Sequence, residues 1–212
     1  MTQVKICGLK TPEDAHVAIE AGADFLGCVF FPPSPRHVTP EVAAEVFDMI
    51  GDADIGRVGL FVNPSDDELT AVLNHVRLDL IQLHGDESPE RVEEVRLNFA
   101  LPVMKALPIE TADDVIAAQK YDGVADKLLF DAKPPKDATR PGGNAIAFDW
   151  TLLTDTDWSV PWMLAGGLTV ENVKQAVTAS GAKAVDVSSG VEREKGVKSP
   201  ELIQSFIAAV KE

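Results

Sequence analysis

Cysteine is scarce. Cys7 and Cys28 are the only two in 212 residues, which excludes a disulfide framework and fits a reducing compartment. Histidine is nearly as rare. His16, His37, His75 and His84 form no H-x-x-x-H pair and no C-x-x-C accompanies them, so the sequence makes no case for a metal site. Cations are few as well: 19 Lys and Arg stand against 34 Asp and Glu, a formal net charge of −15. That balance excludes a nucleic-acid partner, which would need clustered Lys and Arg. It leaves small anionic ligands open, because they respond to local groups. No apolar run approaches the roughly 18 residues of a membrane span. The opening MTQVKICG lacks a basic segment followed by a long apolar one. The expectation is a soluble cytoplasmic protein without a membrane partner. What is present is the ordinary globular balance, 45% hydrophobic and 25% charged.

Short apolar runs alternate with amphipathic stretches along the whole chain. The runs predict strands at Val4–Cys7, Phe25–Phe31, Arg57–Val62, Leu78–Leu83, Pro102–Ala106, Lys127–Phe130, Trp162–Ala165 and Ala184–Val187. Between them, cap and stop signals predict helices. Thr11 with Pro12 opens one that Gly22 ends after Ala21, and Thr39 opens Pro40–Ile50. Ser65 opens one to His75, Ser88-Pro89-Glu90 another, and Thr111 one to Tyr121. A short piece follows at Asp149–Leu153, then Val170–Ser180 and the closing Pro200–Val210. The stretch 132–147, rich in Pro, Gly, Lys and Asp, reads as a long loop.

Strands that are continuously apolar are buried on both faces, and regular βα alternation implies a parallel sheet covered by helices. Eight such units are the number that closes a (β/α)8 TIM barrel, here a single domain over 1–212. No G-x-G-x-x-G follows the first strand, which weighs against an open doubly wound sheet. Strand spacing is near the minimum except after strands two and six. Extra length in a barrel lies in the loops of its C-terminal face, where active sites sit.

The strand ends that would converge there are reactive. Gly166 and Gly167 follow strand seven, and Ser188, Ser189 and Gly190 follow strand eight. Their backbone N–H groups can hold a phosphate without net positive charge, although glycine pairs also serve tight turns. Cys7 ends strand one, with Lys5 two residues earlier on the same side. An ammonium there would favour the thiolate, which can act as a general base; the plainer role is a small buried hydrophobe, the reading given to Cys28. Asp131 ends strand six with no helix directly after it to cap, and burial would favour its neutral, proton-donating form. Arg36 lies in the stiff Pro33-Ser34-Pro35-Arg36, suited to a carboxylate or simply to solvent. Gln82 and His84 share parity and either face the site or stay as satisfied polar residues. Asp186 orients a ligand hydroxyl or its own loop.

Together these stretches resemble the phosphoribosylanthranilate isomerase family. The matching segments are VKICGLKTPEDA, SPRHVTPEVA, RVGLFVN, IQLHGDE, LLFDAK, PGGNAIAFDW, LAGGLTVENV and VDVSSGVEREKGVKSPELIQSFI, spanning Val4 to Ile207. K-I-C-G, S-P-R, Q-L-H-G and D-V-S-S-G-V-E in this order are specific in combination. The resemblance implies an Amadori rearrangement in tryptophan biosynthesis, from N-(5′-phosphoribosyl)anthranilate to 1-(2-carboxyphenylamino)-1-deoxyribulose 5-phosphate. It implies Cys7 as general base, Asp131 as general acid, Arg36 on the anthranilate carboxylate, and Gly166, Gly167, Ser189 and Gly190 around the phosphate. Lys5, Gln82, His84, Asp186 and Ser188 are further candidates. No metal or cofactor is implied, and the chain would be a monomer or homodimer.

Two other readings follow from the same barrel. A synthase of the indole-glycerol-phosphate kind would need a catalytic lysine, for which Lys5 and Lys105 are the strand lysines expected to point inward; an epimerase would need metal-ligating His and Asp. A non-catalytic binder of a phosphoribosyl ligand would have no use for both an acid and a base.

Overall fold

The computed structural model describes residues 1–133 and 147–212. Eight parallel strands close on themselves in chain order: β1 (Gln3–Cys7), β2 (Phe25–Val29), β3 (Gly56–Phe61), β4 (Leu80–Leu83), β5 (Val103–Ile109), β6 (Lys127–Ala132), β7 (Trp162–Leu164) and β8 (Ala184–Val187). Closure comes from β8 pairing with β1, Lys5 beside Asp186 and Ile6 beside Val187. The helices are α1 (Pro12–Ala21), α2 (Pro40–Asp48), α3 (Asp66–Leu73), α4 (Pro89–Phe99), α5 (Ala112–Ala118), α6 (Val173–Ser180) and α7 (Pro200–Lys211). The expected (β/α)8 barrel is therefore the observed architecture.

Local chemistry explains the boundaries. Thr11, Thr39, Ser88 and Ser199 each accept a backbone N–H three residues on, with proline at the first helical position. Ser65 and Glu68 form a reciprocal capping box. Gly22 ends α1 at φ +94°, where a β-carbon would be strained. At the opposite end of the barrel, Asp24, Asp79 and Asp126 accept the N–H groups of Val4, Arg57 and Val103 at 2.7, 2.9 and 2.8 Å. Part of the acidic excess thus stitches the N-terminal face, where barrels store stability.

Several boundaries move. β2 stops at Val29 instead of Phe31, because Ser34 N–H already bonds back to Phe31. β5 runs on to Ile109, and β6 to Ala132, since the two strands pair as far as Ile109 with Ala132. Asp131 therefore lies within β6, not beyond it. The helix expected from Val170 begins at Val173, after a turn in which Asn172 Oδ1 accepts Thr169 N–H at 2.8 Å. The short piece near Asp149 is one 3₁₀ turn, Trp150–Leu153. The expected 132–147 loop lies mostly outside the described residues. A hairpin that sequence periodicity did not indicate follows β8: β9 (Glu192–Glu194) pairs antiparallel with β10 (Val197–Lys198).

The core has two parts. Between barrel and helices, residues such as Ile6, Leu26, Ile81, Leu128 and Phe206 are fully buried, each worth about 1.5–3 kcal/mol of burial. Inside the barrel, Val58, Leu80, Met104, Leu129 and Met163 fill the lower layers. Above them polar side chains take over, and that change of chemistry positions the site. On β6, Phe130 packs outward against Trp158 and Trp162, with ring centroids 4.7 and 5.5 Å away. Strand alternation then aims its neighbours Leu129 and Asp131 inward.

Candidate active site

A cavity opens at the C-terminal ends of the strands, the face on which barrels place their ligand sites. It is lined by Cys7 from β1, Arg36 from the loop after β2, His84 after β4 and Asp131 from β6. Gly166 and Gly167 after β7, and Asp186 to Gly190 from β8 and its loop, complete it. Lys5 and Gln82 are not at its wall. Both are fully buried in the barrel below it.

Cys7 is 3% exposed. Its space exists because β2 has glycine opposite: a β-carbon at Gly27 would come 3.2 Å from Cys7 Sγ and 3.3 Å from Lys5 Cε. Lys5 does share the inner face, but its Nζ donates to Asp186 Oδ1 at 2.9 Å. Burial pushes the Cys7 thiol above its ordinary range; the ammoniums of Lys5 and Lys198 pull it down, and Asp186 adds to the rise. The expected thiolate-favouring effect of Lys5 is real, but desolvation outweighs it.

Asp131 is 7% exposed. Oδ1 accepts Ala132 N–H at 2.8 Å, and Oδ2 lies 3.2 Å from His84 Nε2. His84 Nδ1 in turn lies 2.9 Å from Gln82 Nε2. Gln82, read as either facing the site or a satisfied polar residue, touches the cavity only through His84.

Arg36 is not a solvated loop residue: it is 4% exposed. Its Nε and Nη2 donate to Glu192 Oε1 and Oε2 at 2.6 and 2.9 Å. Gly8, at φ +78°, leaves room for it, since a β-carbon there would sit 2.6 Å from Arg36 Cδ. Nη1 donates to no acceptor among the described residues. Glu192 also accepts Lys198 Nζ at 3.1 Å and Gly196 N–H at 2.9 Å. Burial opposes its charge, yet the Arg36 hydrogen bonds, the Lys198 ammonium and the Gly196 N–H bring it down to about 2. Lys198, held low by burial, further donates to Ser188 O at 2.8 Å. Sequence reasoning missed both Glu192 and Lys198, though both lie in the quoted segment after Ser189.

The glycine turns come together as well. A β-carbon at Gly190 would collide with the Leu168 carbonyl, and one at Gly166, φ +86°, with the Ala132 N–H. The two loops meet backbone to backbone, and the N–H groups of Gly167, Ser189 and Gly190 have no backbone acceptor among the described residues.

Lys105 corrects one expectation. Met104 and Ala106 face the barrel interior, so Lys105 points outward, where Nζ donates to Gly85 O at 2.6 Å and Glu87 Oε2 at 2.8 Å. It is therefore unavailable to any ligand in the cavity. Glu87 also receives the N–H groups of Asn63 and Gly85, so the pair anchors the turn that carries His84.

Fold and site together define a (β/α)8 barrel whose ligand cavity is lined by a thiol, a carboxyl, a fixed guanidinium and a cradle of backbone amides. A family model described as N-(5′-phosphoribosyl)anthranilate (PRA) isomerase matches residues 4–209. The chain belongs to that family. The N-(5′-phosphoribosyl)anthranilate isomerase of Paramagnetospirillum magneticum is 58% identical over 209 residues, covering 99% of this chain and 97% of the relative. A monomeric form of the dimeric phosphoribosylanthranilate isomerase of Thermotoga maritima superposes with a TM-score of 0.84 at 34% identity, covering 100% and 99% of the two chains. A phosphoribosyl anthranilate isomerase in complex with reduced 1-(o-carboxyphenylamino)-1-deoxyribulose 5-phosphate gives the same TM-score, identity and coverage.

Proposed function

We infer that this chain is the isomerase that carries out the Amadori rearrangement of N-(5′-phosphoribosyl)anthranilate in tryptophan biosynthesis, with one barrel over 1–212 holding the whole site. The observation that carries the reading, beside family membership, is a thiol on β1 and a carboxyl on β6 lining one cavity with Arg36 and the glycine cradle. The direct test is the loss of substrate fluorescence on adding purified protein; no turnover above the spontaneous rate would overturn it.

In this reading Asp131 gives a proton to the ribose ring oxygen. The C1–O bond breaks with its electron pair going to oxygen, and the anilino nitrogen lone pair forms the C1=N iminium. The iminium acidifies the C2–H bond, and the Cys7 thiolate takes that proton. The C2–H pair becomes C1=C2, and nitrogen regains its lone pair. Protonation at C1 and loss of the C2 hydroxyl proton give the 2-ketone, so one hydrogen has moved from C2 to C1 overall. The iminium is the electron sink, and the chemistry assigned to this chain is general acid–base catalysis.

Arg36 holds the anthranilate carboxylate through its unengaged edge, with Glu192 gripping the other edge. Arg36→Ala should raise KM by about ten- to a hundredfold, the worth of one or two charged hydrogen bonds, with kcat within severalfold. An unchanged KM would mean the carboxylate is held elsewhere. The phosphate sits on the N–H groups of Gly166, Gly167, Ser189 and Gly190. Gly190→Ala should weaken inorganic phosphate and substrate binding together by about tenfold or more, because one misplaced cradle loop costs at least one such bond. Binding equal to the parent protein would remove Gly190 from the cradle.

We place the protein in the cytoplasm as a monomer or homodimer acting on a small phosphorylated molecule, without a nucleic-acid or membrane partner. Two free, buried thiols support a reducing compartment, and 34 acidic against 19 basic residues support the exclusion of nucleic acid. No helix among the described residues is long and apolar enough to cross a membrane.

A further inference from the structure

Gln82 is a fully buried amide in the barrel, and one of its two polar atoms has no partner among the described residues. Oε1 has no hydrogen-bond partner among the described residues, while Nε2 lies 2.9 Å from His84 Nδ1. A buried amide oxygen left bare costs free energy, about 1–3 kcal/mol, so the contact made by the other end needs a reason. We propose that Gln82 is a positioning residue: its amide N–H sets the tautomer of His84, and through it the donor that faces Asp131.

The wiring runs in one direction. Asp131 Oδ1 is taken by Ala132 N–H, a backbone donor that cannot reverse. Oδ2 faces His84 Nε2 at 3.2 Å. Once Asp131 has given its proton to the ring oxygen, Oδ2 is a carboxylate oxygen and needs a donor. Only a His84 with its proton on Nε2 supplies one while the imidazole stays neutral. Nδ1 must then be the acceptor, and the group opposite must donate, as an amide NH2 does. A carboxylate at position 82 would demand the reverse, a proton on Nδ1. The Gln82 amide therefore stabilises the product state of the acid step without adding charge to the barrel interior. His84 itself is held by the Lys105–Glu87 anchor under Gly85, which fixes its place but not its tautomer. The two tasks fall to different groups.

The inference rests on Asp131 being the general acid, and the test separates the two. First, 15N-histidine NMR of the parent protein at neutral pH should show His84 protonated on Nε2 with a bare Nδ1. An Nδ1–H tautomer, or an imidazolium, would overturn the proposal. Second, Gln82→Met, nearly isosteric and lacking a hydrogen-bond donor, should mix the tautomers and lower kcat about tenfold, the worth of one hydrogen bond, with KM unchanged. Third, the same change made in Asp131→Asn should have no further effect on the residual rate, because the two act in series. Equal losses in both backgrounds would make Gln82 merely structural and sink the proposal. If Gln82→Met fails to fold, Gln82→Glu should drive the proton to Nδ1 and lower kcat; a His84 still protonated only on Nε2 would overturn it. Full activity in Asp131→Asn alone would instead bring down the acid assignment, whatever the tautomer.

Discussion

Cys7→Ser should lower kcat by about 10²- to 10⁴-fold, the range that a positioned general base contributes, while binding of a reduced product analogue stays within severalfold. The hydroxyl is close in size to the thiol, so the cavity made by Gly27 stays filled and the Lys5–Asp186 pair beneath it is undisturbed. What is lost is an accessible anion. The buried thiol is already pushed up by desolvation, with Lys5 and Lys198 pulling it partway back; a serine hydroxyl in the same place is far less acidic. The sign of the pH effect follows. A base whose conjugate acid is raised acquires its active form only as pH climbs through the ordinary thiol range and beyond. In the parent protein kcat/KM should therefore rise with pH across that range, and this limb should vanish in Cys7→Ser. A serine variant with parental kcat, or a parent profile level from neutral pH upward, would remove Cys7 as the base. Lys198→Met offers a cross-check, since losing one of the two ammoniums moves the limb further alkaline.

The strand ends were legible because a buried parallel strand is an unbroken apolar run that stops abruptly, and in a barrel those stops share one rim. Cys7, Asp131, His84 and the Gly166-Gly167 pair are gathered on one side of the molecule by sequence alone. Parity was a weaker guide. It put Lys105 inside, but the alternation of β5 is set by Met104 and Ala106 in the barrel interior, which turns Lys105 outward to Glu87. Charge neighbours in sequence also mislead when burial is unseen: Lys5 lies two residues from Cys7, yet the larger effect on the thiol is the absence of water. Glu192 and Lys198 were not legible as site residues at all. Glu192 meets Arg36 across 156 positions, through a hairpin of three and two residues that has too little periodicity to read. Nothing in the sequence says that this hairpin folds back over the loop after β2.

Asp131→Asn should be at least as damaging to kcat as the serine variant, about 10²- to 10⁴-fold, and the two losses should differ in kind. The amide keeps the geometry: Asn Oδ1 can still accept Ala132 N–H, which at 2.8 Å in the parent fixes which side-chain atom faces the backbone. Its NH2 then points toward His84 and the cavity, where the proton on His84 Nε2 loses its acceptor, and it cannot give up a proton to the ring oxygen. Ring opening is therefore blocked, and every later step with it. Cys7→Ser fails only afterwards, when the iminium is waiting to lose its C2 proton. The order of steps gives a measurement that separates acid from base. Ring opening and reclosure interconvert the two anomers of the substrate, so Cys7→Ser should still accelerate that exchange above its spontaneous rate, whereas Asp131→Asn should not. If both variants exchange anomers equally well, protonation of the ring oxygen does not come from Asp131. If neither does while product analogue still binds to both, the thiol is needed before the C–H bond is touched, and the assignment of Cys7 to the second step is wrong. Because Asp131 and Cys7 stand on β6 and β1, separated by β7 and β8 around the rim, neither substitution disturbs the other's strand. Their effects on binding should add, while their effects on kcat should not.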